Sequence, residues 1–135
     1  MAMSALGKKL VRDMRRSGMQ FFAIVMLCST LNFTKITDHR KFACYCGLAP
    51  FEHSSGTSVR GGCHTSSMAN RDIKVQLNRS ALIAIRCDPQ LKAYYERKVA
   101  EGKHKFSVLN AVRAKIAARC FAVVRRGTPY VALQI

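Results

Sequence analysis

The sequence predicts a mainly α-helical fold, an irregular bundle of about five to six helices. Apolar residues recur at three- and four-residue steps in several stretches, which is the spacing that lines one face of an α-helix. No stretch of useful length alternates apolar and polar residues as a half-buried strand does. Hydrophobic residues make up 49% of the 135 positions, enough to build the core of a single domain.

Two helical stretches are predicted before residue 30. Leu6, Leu10 and Met14 recur at intervals of four among basic side chains, so this helix could lie on a membrane surface, contact phosphate or cover the core. The apolar run 19–28 imitates a secretory signal, but it is too short to span a membrane and no A-x-A site follows it. We expect a buried helix there, in a cytoplasmic protein with no membrane partner.

A third helix is predicted to begin at Asp38 and to stop at Gly47. Aspartate is a favourable N-cap, and glycine readily takes the left-handed conformation that ends a helix. The spacing predicts that Phe42, Tyr45 and Cys46 face the core.

A long helix is predicted from Met68 to Cys87, after a glycine-rich loop. Ser66 or Ser67 could cap it. Its apolar face consists of Ile73, Leu77, Ala81, Ala84 and Ile85.

Two further helices complete the predicted bundle. Asp88 and Pro89 form an N-cap followed by proline at the first helical position, and this helix ends at Gly102. The last helix covers 106–126 and ends at Gly127; about 20 helical residues are roughly 30 Å long, enough to cross the domain. Its apolar positions are Leu109, Val112, Ile116, Cys120 and Val123.

The chain is strongly basic. Twenty-three Lys and Arg stand against seven Asp and Glu, a net charge of +16, and residues 89–127 alone hold ten basic and two acidic side chains. An excess of this size repels itself unless a polyanion is present, which favours a nucleic-acid partner and binding that weakens with salt. The alternative is an ordinary basic surface.

The six cysteines form no C-x-x-C pair, so neither a zinc site nor a disulfide framework is indicated. Cys63 and His64 together with Cys44 or Cys46 are a weak metal-binding alternative. The simpler interpretation is reduced, mostly buried thiols in a cytoplasmic protein.

The loop 47–62 is rich in glycine and serine. It holds Ser54 and Ser55 between His53 and Arg60, and a hydroxyl beside a glycine is sterically open to a phosphate. Most serines in such loops only cap helices or solvate turns, so the residues alone leave a nucleophile and a turn residue both open.

A series of short motifs resembles the C-terminal, serine-bearing domain of the IS116/IS110/IS902 transposases, which are DEDD-type, RNA-guided enzymes related to the pilin-gene-inverting recombinase. The resemblance covers 15–127, between a basic extension at 1–14 and a tail at 128–135. The motifs are FACYCGLAPFE at 42–52, SGTSVRG at 55–61, MAN at 68–70, DPQLK at 88–92, YY at 94–95, EGK at 101–103 and VLNAVR at 108–113.

The resemblance implies that Ser55 attacks DNA and holds the broken strand as a phosphoserine. Ser54 is the weaker candidate because the motif is the Ser-Gly pair. A degenerate helix-hairpin-helix-like start is implied at 17–20, where Gly18 alone stands for two expected glycines. The implied DNA-binding residues are Gly56, Thr57, Ser58, Arg60, Arg71 and Lys74, of which the three basic ones could equally be solvated surface charges.

The family's complete enzyme also carries a resolvase-like N-terminal domain whose four acidic residues bind magnesium. The seven acids here are scattered singly, so we expect no metal in this chain, magnesium only in that missing domain, and no activity without it. The partners implied are DNA, a guide RNA, the resolvase-like domain and further copies in an oligomer. The alternative function is a non-catalytic basic nucleic-acid-binding protein, or a decaying remnant of a transposase.

Four other side chains keep two interpretations. His53 and His64 could carry protons for Ser55, but without a visible carboxylate to orient them they receive no role. Tyr94 and Tyr95 could stack on bases, or one ring could lie in the core.

Overall fold

The computed structural model describes residues 5, 8, 12, 26–28, 30, 33–48 and 70–127. Within these residues every regular element is an α-helix and no strand occurs, which confirms the predicted mainly α class. The helices are α1 (His39–Tyr45), α2 (Arg71–Cys87), α3 (Pro89–Ala100) and α4 (Lys105–Arg126), and residues 26–28 are also helical. None of the described helices combines the length and the apolar character needed to cross a bilayer.

Helix α4 is the centre of the described bundle and packs against α1, α2 and α3. Its 22 residues correspond to a rod of about 33 Å. The predicted apolar positions are all buried: Leu109, Val112, Ile116, Cys120 and Val123. Gly127 ends the helix in the left-handed conformation, φ 65°, as predicted.

Helix α2 buries its predicted face but begins later than predicted. Ile73, Leu77, Ala81 and Ala84 are buried, and Ile85 packs against the core. The predicted start at Met68 is wrong, because the helix begins at Arg71. The Asn70 side-chain oxygen accepts from the backbone N–H groups of Asp72 and Ile73, and the extended backbone of Asn70 interrupts any helix there. The predicted caps Ser66 and Ser67 lie outside the described residues.

Helix α1 confirms the predicted N-cap, and it ends at Tyr45, one residue before the predicted last residue Cys46. The Asp38 carboxylate accepts from the Arg40 N–H at 3.2 Å, and Gly47 adopts φ 66° just after the helix. Phe42 and Cys46 are completely buried, whereas Tyr45 is 40% exposed, so its predicted core position is wrong. Its hydroxyl instead lies at the protein surface, where it accepts a hydrogen bond from the Asn70 side-chain amide.

Three phenylalanine rings join α1 and α4 to the chain before α1. The Phe121 ring lies 4.9 Å from that of Phe33, edge to face, and 5.5 Å from that of Phe42. Met26 and Leu27 are buried in the same core, which confirms the predicted burial for this part of the run 19–28. The prediction that this helix is buried on all sides is wrong at Cys28, whose side chain is exposed.

Asp88 starts α3 as predicted and also fixes it to α4. One carboxylate oxygen accepts from the backbone N–H groups of Gln90 and Leu91, at 2.9 and 3.1 Å. The other accepts from Arg119 Nη1 at 2.6 Å, and Arg119 Nη2 donates to the Gln90 side chain at 3.0 Å. Gly102, with φ 86°, follows the end of α3. One aspartate therefore caps a helix and sets its contact with the central helix.

The described cysteines are all free thiols, but most are not buried as predicted. Cys46 and Cys120 are buried, Cys44 is half-buried, and Cys28 and Cys87 are exposed. Cys87 is the last residue of α2 and lies next to the polar cap Asp88. Burial raises the pKa of the Cys46 thiol and that of the Cys120 thiol from 9.0 to about 12.

Thiol labelling is expected to separate these two groups. At neutral pH in native protein, Cys28 and Cys87 should react with a disulfide reagent, while Cys46 and Cys120 should react only after unfolding. The unfolded thiols lose their protons near pH 9.0 and the buried ones near 12, so stability should fall as pH rises through that window. Mass spectrometry of the labelled peptides checks the first expectation, and rapid native labelling of Cys120 would contradict it.

Candidate functional site

The described residues fix both ends of segment 49–69, which contains most of the predicted site. Helix α1 ends just before the segment, and α2 begins just after it. The backbone carbonyl of Tyr45 accepts from the Asn70 N–H at 3.1 Å, and the Tyr45 hydroxyl accepts from the Asn70 side-chain amide at 3.3 Å. The chain therefore leaves and rejoins the bundle at neighbouring points.

The entry to this segment is also held by α4. Asn110 donates from its side-chain amide to the backbone carbonyl of Leu48 at 3.0 Å. Leu48 is buried, and its own N–H donates to the Ala43 carbonyl at 2.8 Å. Because a buried carbonyl without a partner is costly, Asn110 stabilises the point at which the chain enters the segment.

Arg113 lies one turn after Asn110 and carries a partly desolvated positive charge. Its Nη1 donates to the Asn110 side-chain oxygen at 3.5 Å, while its buried Nε has no hydrogen-bond partner among the described residues. Burial lowers the pKa of Arg113. Asn110 and Arg113 belong to a motif quoted from the sequence, but no role was predicted for them. The sequence signal that could have found them is a polar amide and a guanidinium three residues apart, next to the apolar positions Leu109 and Val112.

Most predicted site residues fall inside segment 49–69 and so lie outside the described residues: Ser55, Gly56, Thr57, Ser58 and Arg60. The same holds for His53, His64 and Cys63. Arg71 is exposed and is the first residue of α2, directly after the segment. Lys74 is half-buried one turn later, and residues three apart share a helix face. The structure thus brings these two predicted phosphate contacts to the exit of the segment.

Part of the positive charge on α3 and α4 is already used within the bundle. Arg119 pairs with Asp88, and Lys98 pairs with Glu101 at 2.6 Å. The Lys115 ammonium lies 4.5 Å from the centre of the Tyr94 ring. Both Tyr94 and Tyr95 pack against the core, which favours the packing interpretation over base stacking.

The described part of the chain offers no metal-binding cluster. No group of three or more His, Cys, Asp or Glu side chains there is placed to hold an ion. The acids of the described residues lie apart from one another. Asp38 and Asp88 are N-caps, Asp72 lies in the first turn of α2, Glu96 lies within α3 and Glu101 follows its end.

Comparison with known proteins decides the family. The sequence pattern described as "Transposase IS116/IS110/IS902 family" matches residues 9–96, more than half of the chain. The chain is also 37% identical, over 109 residues and 80% of its length, to "Insertion element IS110 uncharacterized 43.6 kDa protein" of Streptomyces coelicolor. The chain belongs to the IS116/IS110/IS902 transposase family. The match spans Ser55 and its glycine, as well as Arg71 and Lys74.

This family member is similar to two further proteins. The "Pilin gene-inverting protein" of Moraxella lacunata and that of Moraxella bovis are each 26% identical to it over 92 residues, 67% of the chain. The chain covers only 26% of the Streptomyces relative and 29% of each Moraxella relative. It therefore spans about a quarter of the length of the relatives it matches.

Proposed function

We propose that this chain is the DNA-binding, serine-bearing part of an insertion-sequence transposase, acting in the cytoplasm. The observation that carries the proposal is the family match over residues 9–96, since it includes the Ser55-Gly56 pair in the segment whose ends the bundle fixes. Relatives named for an insertion element and for inverting a gene support recombination as the process.

The proposed chemical step is a transesterification at phosphorus. The Ser55 hydroxyl oxygen attacks a DNA phosphodiester and forms a new P–O bond as it gives up its proton. The P–O bond to one sugar oxygen breaks, and that oxygen leaves as a hydroxyl after taking up a proton. Serine is a weak nucleophile at neutral pH, so the step needs stabilisation of the charge on the phosphate oxygens.

Basic residues around segment 49–69 would provide part of that stabilisation. Arg60 lies within the segment, Arg71 and Lys74 follow its exit, and Arg113 is linked through Asn110 to its entry. A partly desolvated guanidinium interacts more strongly with a phosphate than one in bulk water does. The net charge of +16 on the whole chain would draw DNA toward the protein.

The proposed enzyme also needs other components. These are magnesium, a resolvase-like domain, a guide RNA and further copies of the chain. No group of three or more His, Cys, Asp or Glu side chains in the described residues is placed to hold an ion, and the family resemblance is what assigns magnesium to acidic residues of the resolvase-like domain. The chain would then supply the nucleophile and DNA contacts, and the resolvase-like domain would supply metal-assisted cleavage.

The test exploits two adjacent serines. The chain is mixed with the N-terminal part of a full-length relative, magnesium and labelled DNA from the regions flanking its gene, and covalent adducts are resolved on a denaturing gel. Wild type and Ser54→Ala should form the adduct, whereas Ser55→Ala should form none because the attacking oxygen is gone. An adduct that persists in Ser55→Ala, or disappears only in Ser54→Ala, would refute the assignment.

A second candidate function is non-catalytic nucleic-acid binding, which the net charge of +16 favours independently. In that case no adduct forms in any mixture, Ser55→Ala binds DNA as wild type does, and the logarithm of the affinity falls steeply with the logarithm of the salt concentration.

A further inference from the structure

The turn between α3 and α4 exposes an aromatic ring that the bundle does not use. Phe106 is 71% exposed, more than any other large hydrophobic side chain of the described residues; the next, Val75, is 49% exposed. It lies in the first turn of α4, while the helix face that begins at Val108 and Leu109 is buried. Its ring therefore contributes little to the core.

The Phe106 ring is held in place by its neighbour. The His104 ring is stacked on it, with centroids 5.6 Å apart and an angle of 24° between the planes. His104 Nδ1 accepts from the Phe106 backbone N–H at 3.3 Å, which orients the imidazole at the start of α4. Two flat rings are thus presented together before any ligand arrives, which reduces the entropy lost on binding.

Positive charges border these rings. Lys103 and Lys105 are exposed, and neither forms an ion pair within the described part of the chain. The acid nearest in sequence, Glu101, is already neutralised by Lys98 at 2.6 Å and approached by Arg97 at 3.9 Å. Residues 103–106, hereafter the α3–α4 corner, therefore combine two exposed lysines, neither of them in an ion pair among the described residues, with two stacked rings.

We propose that the α3–α4 corner binds single-stranded nucleic acid by stacking an unpaired base on Phe106 while the lysines contact the backbone phosphates. Aromatic side chains beside cations are the usual platform for single strands, since every base has a π-face. Bases in a duplex are already stacked, so the corner selects strands that have been opened or are single-stranded. This inference rests on the proposed function and adds a contact that is distinct from segment 49–69.

An anionic membrane surface is the competing ligand for a basic, aromatic corner. Interfacial binding grows with the apolar area inserted into the bilayer, and here one phenylalanine ring stands out between charged side chains. The limited apolar area favours nucleic acid, and vesicles form one arm of the test.

The first experiment uses a tryptophan reporter, because the chain contains no tryptophan. In Phe106→Trp the indole should be quenched by an oligothymidylate of about 16 nucleotides, the upper end of the site sizes of such proteins. Leu82→Trp, at another exposed apolar position on α2, is the control and should be quenched much less. Equal quenching at the two positions, or quenching of Phe106→Trp by anionic vesicles but not by the oligonucleotide, would overturn the proposal.

The second experiment compares affinities for the same oligonucleotide. Phe106→Ala should weaken binding by about tenfold, within the range known for loss of one stacked base, and should weaken duplex binding much less. The double variant Lys103→Gln/Lys105→Gln should also weaken binding. The double variant Lys35→Gln/Lys41→Gln is its control, because it removes the same charge from exposed lysines elsewhere, and it should weaken binding less. Unchanged affinity in Phe106→Ala would refute this site while leaving DNA binding by the chain intact. A wild-type chain that binds no DNA at all would refute both this site and the proposed function.

Discussion

Phe42→Ala is expected to lower the free energy of unfolding by about 3–5 kcal/mol, the usual cost of removing a buried phenylalanine ring. Phe42 has no exposed surface and lies on α1, where its ring contacts that of Phe121 on α4 at 5.5 Å. Because a domain of this size is stable by only about 5–15 kcal/mol, the change would remove a large part of the total. Urea titration followed by helix circular dichroism measures it.

The matched control is the same substitution at an exposed ring. Phe106→Ala removes the same atoms from a side chain that is 71% exposed, so its free energy of unfolding should change by no more than about 0.5 kcal/mol. A Phe42→Ala variant as stable as Phe106→Ala would show that α1 does not pack on α4 in solution as the structure has it.

The helices could be predicted from the sequence because their signals are local. Asp38 and Asp88 cap the residues that follow them, and Gly47 and Gly127 adopt the left-handed conformations that end helices. The apolar face of α4 could be predicted from the spacing of its apolar residues alone. Local chemistry also explains the error at α2, where Asn70 is as good a cap as either serine, so spacing alone could not choose among them.

Contacts between distant parts of the chain were not predictable in this way. Nothing local indicates that Asn110 donates to the carbonyl of Leu48, or that Arg119 binds Asp88. The spacing of Tyr45 predicts a core position, yet its hydroxyl accepts a hydrogen bond from Asn70 across the ends of segment 49–69. These contacts depend on how the helices pack against one another, and the spacing of apolar residues along one helix does not determine that packing.

The candidate site was predictable only through family resemblance. The reactivity of a serine depends on the charges and donors that the fold brings to it, and the sequence alone assigns no activating role to the neighbours of Ser55 such as His53. The structure adds supporting residues that the sequence did not reveal, Asn110 and Arg113 at the entry of the segment, and it places Arg71 and Lys74 at the exit.

Asp88→Ala is expected to have the other large effect, a loss of about 3 kcal/mol in the free energy of unfolding. The substitution removes a helix cap, typically worth about 1 kcal/mol. It also deprives the guanidinium of Arg119 of its carboxylate partner, and both side chains are mostly buried, 28% and 21% exposed. Urea titration of the variant measures the sum of the two losses.

Asp88→Asn separates those two losses, because asparagine caps a helix about as well as aspartate does but carries no charge. It should lose less than Asp88→Ala, and the difference between them is the contribution of the cap. Combining it with Arg119→Gln in a double-mutant cycle gives the coupling energy of the ion pair. Glu101→Gln breaks the Lys98 pair, which has the same 2.6 Å distance, but the Glu101 carboxylate is 42% exposed whereas that of Asp88 is 21% exposed. Because water screens the more exposed carboxylate, Glu101→Gln should leave the unfolding midpoint nearly unchanged. If Glu101→Gln and Asp88→Asn were equally destabilising, the result would contradict the claim that burial of Asp88 between α3 and α4 strengthens its ion pair with Arg119.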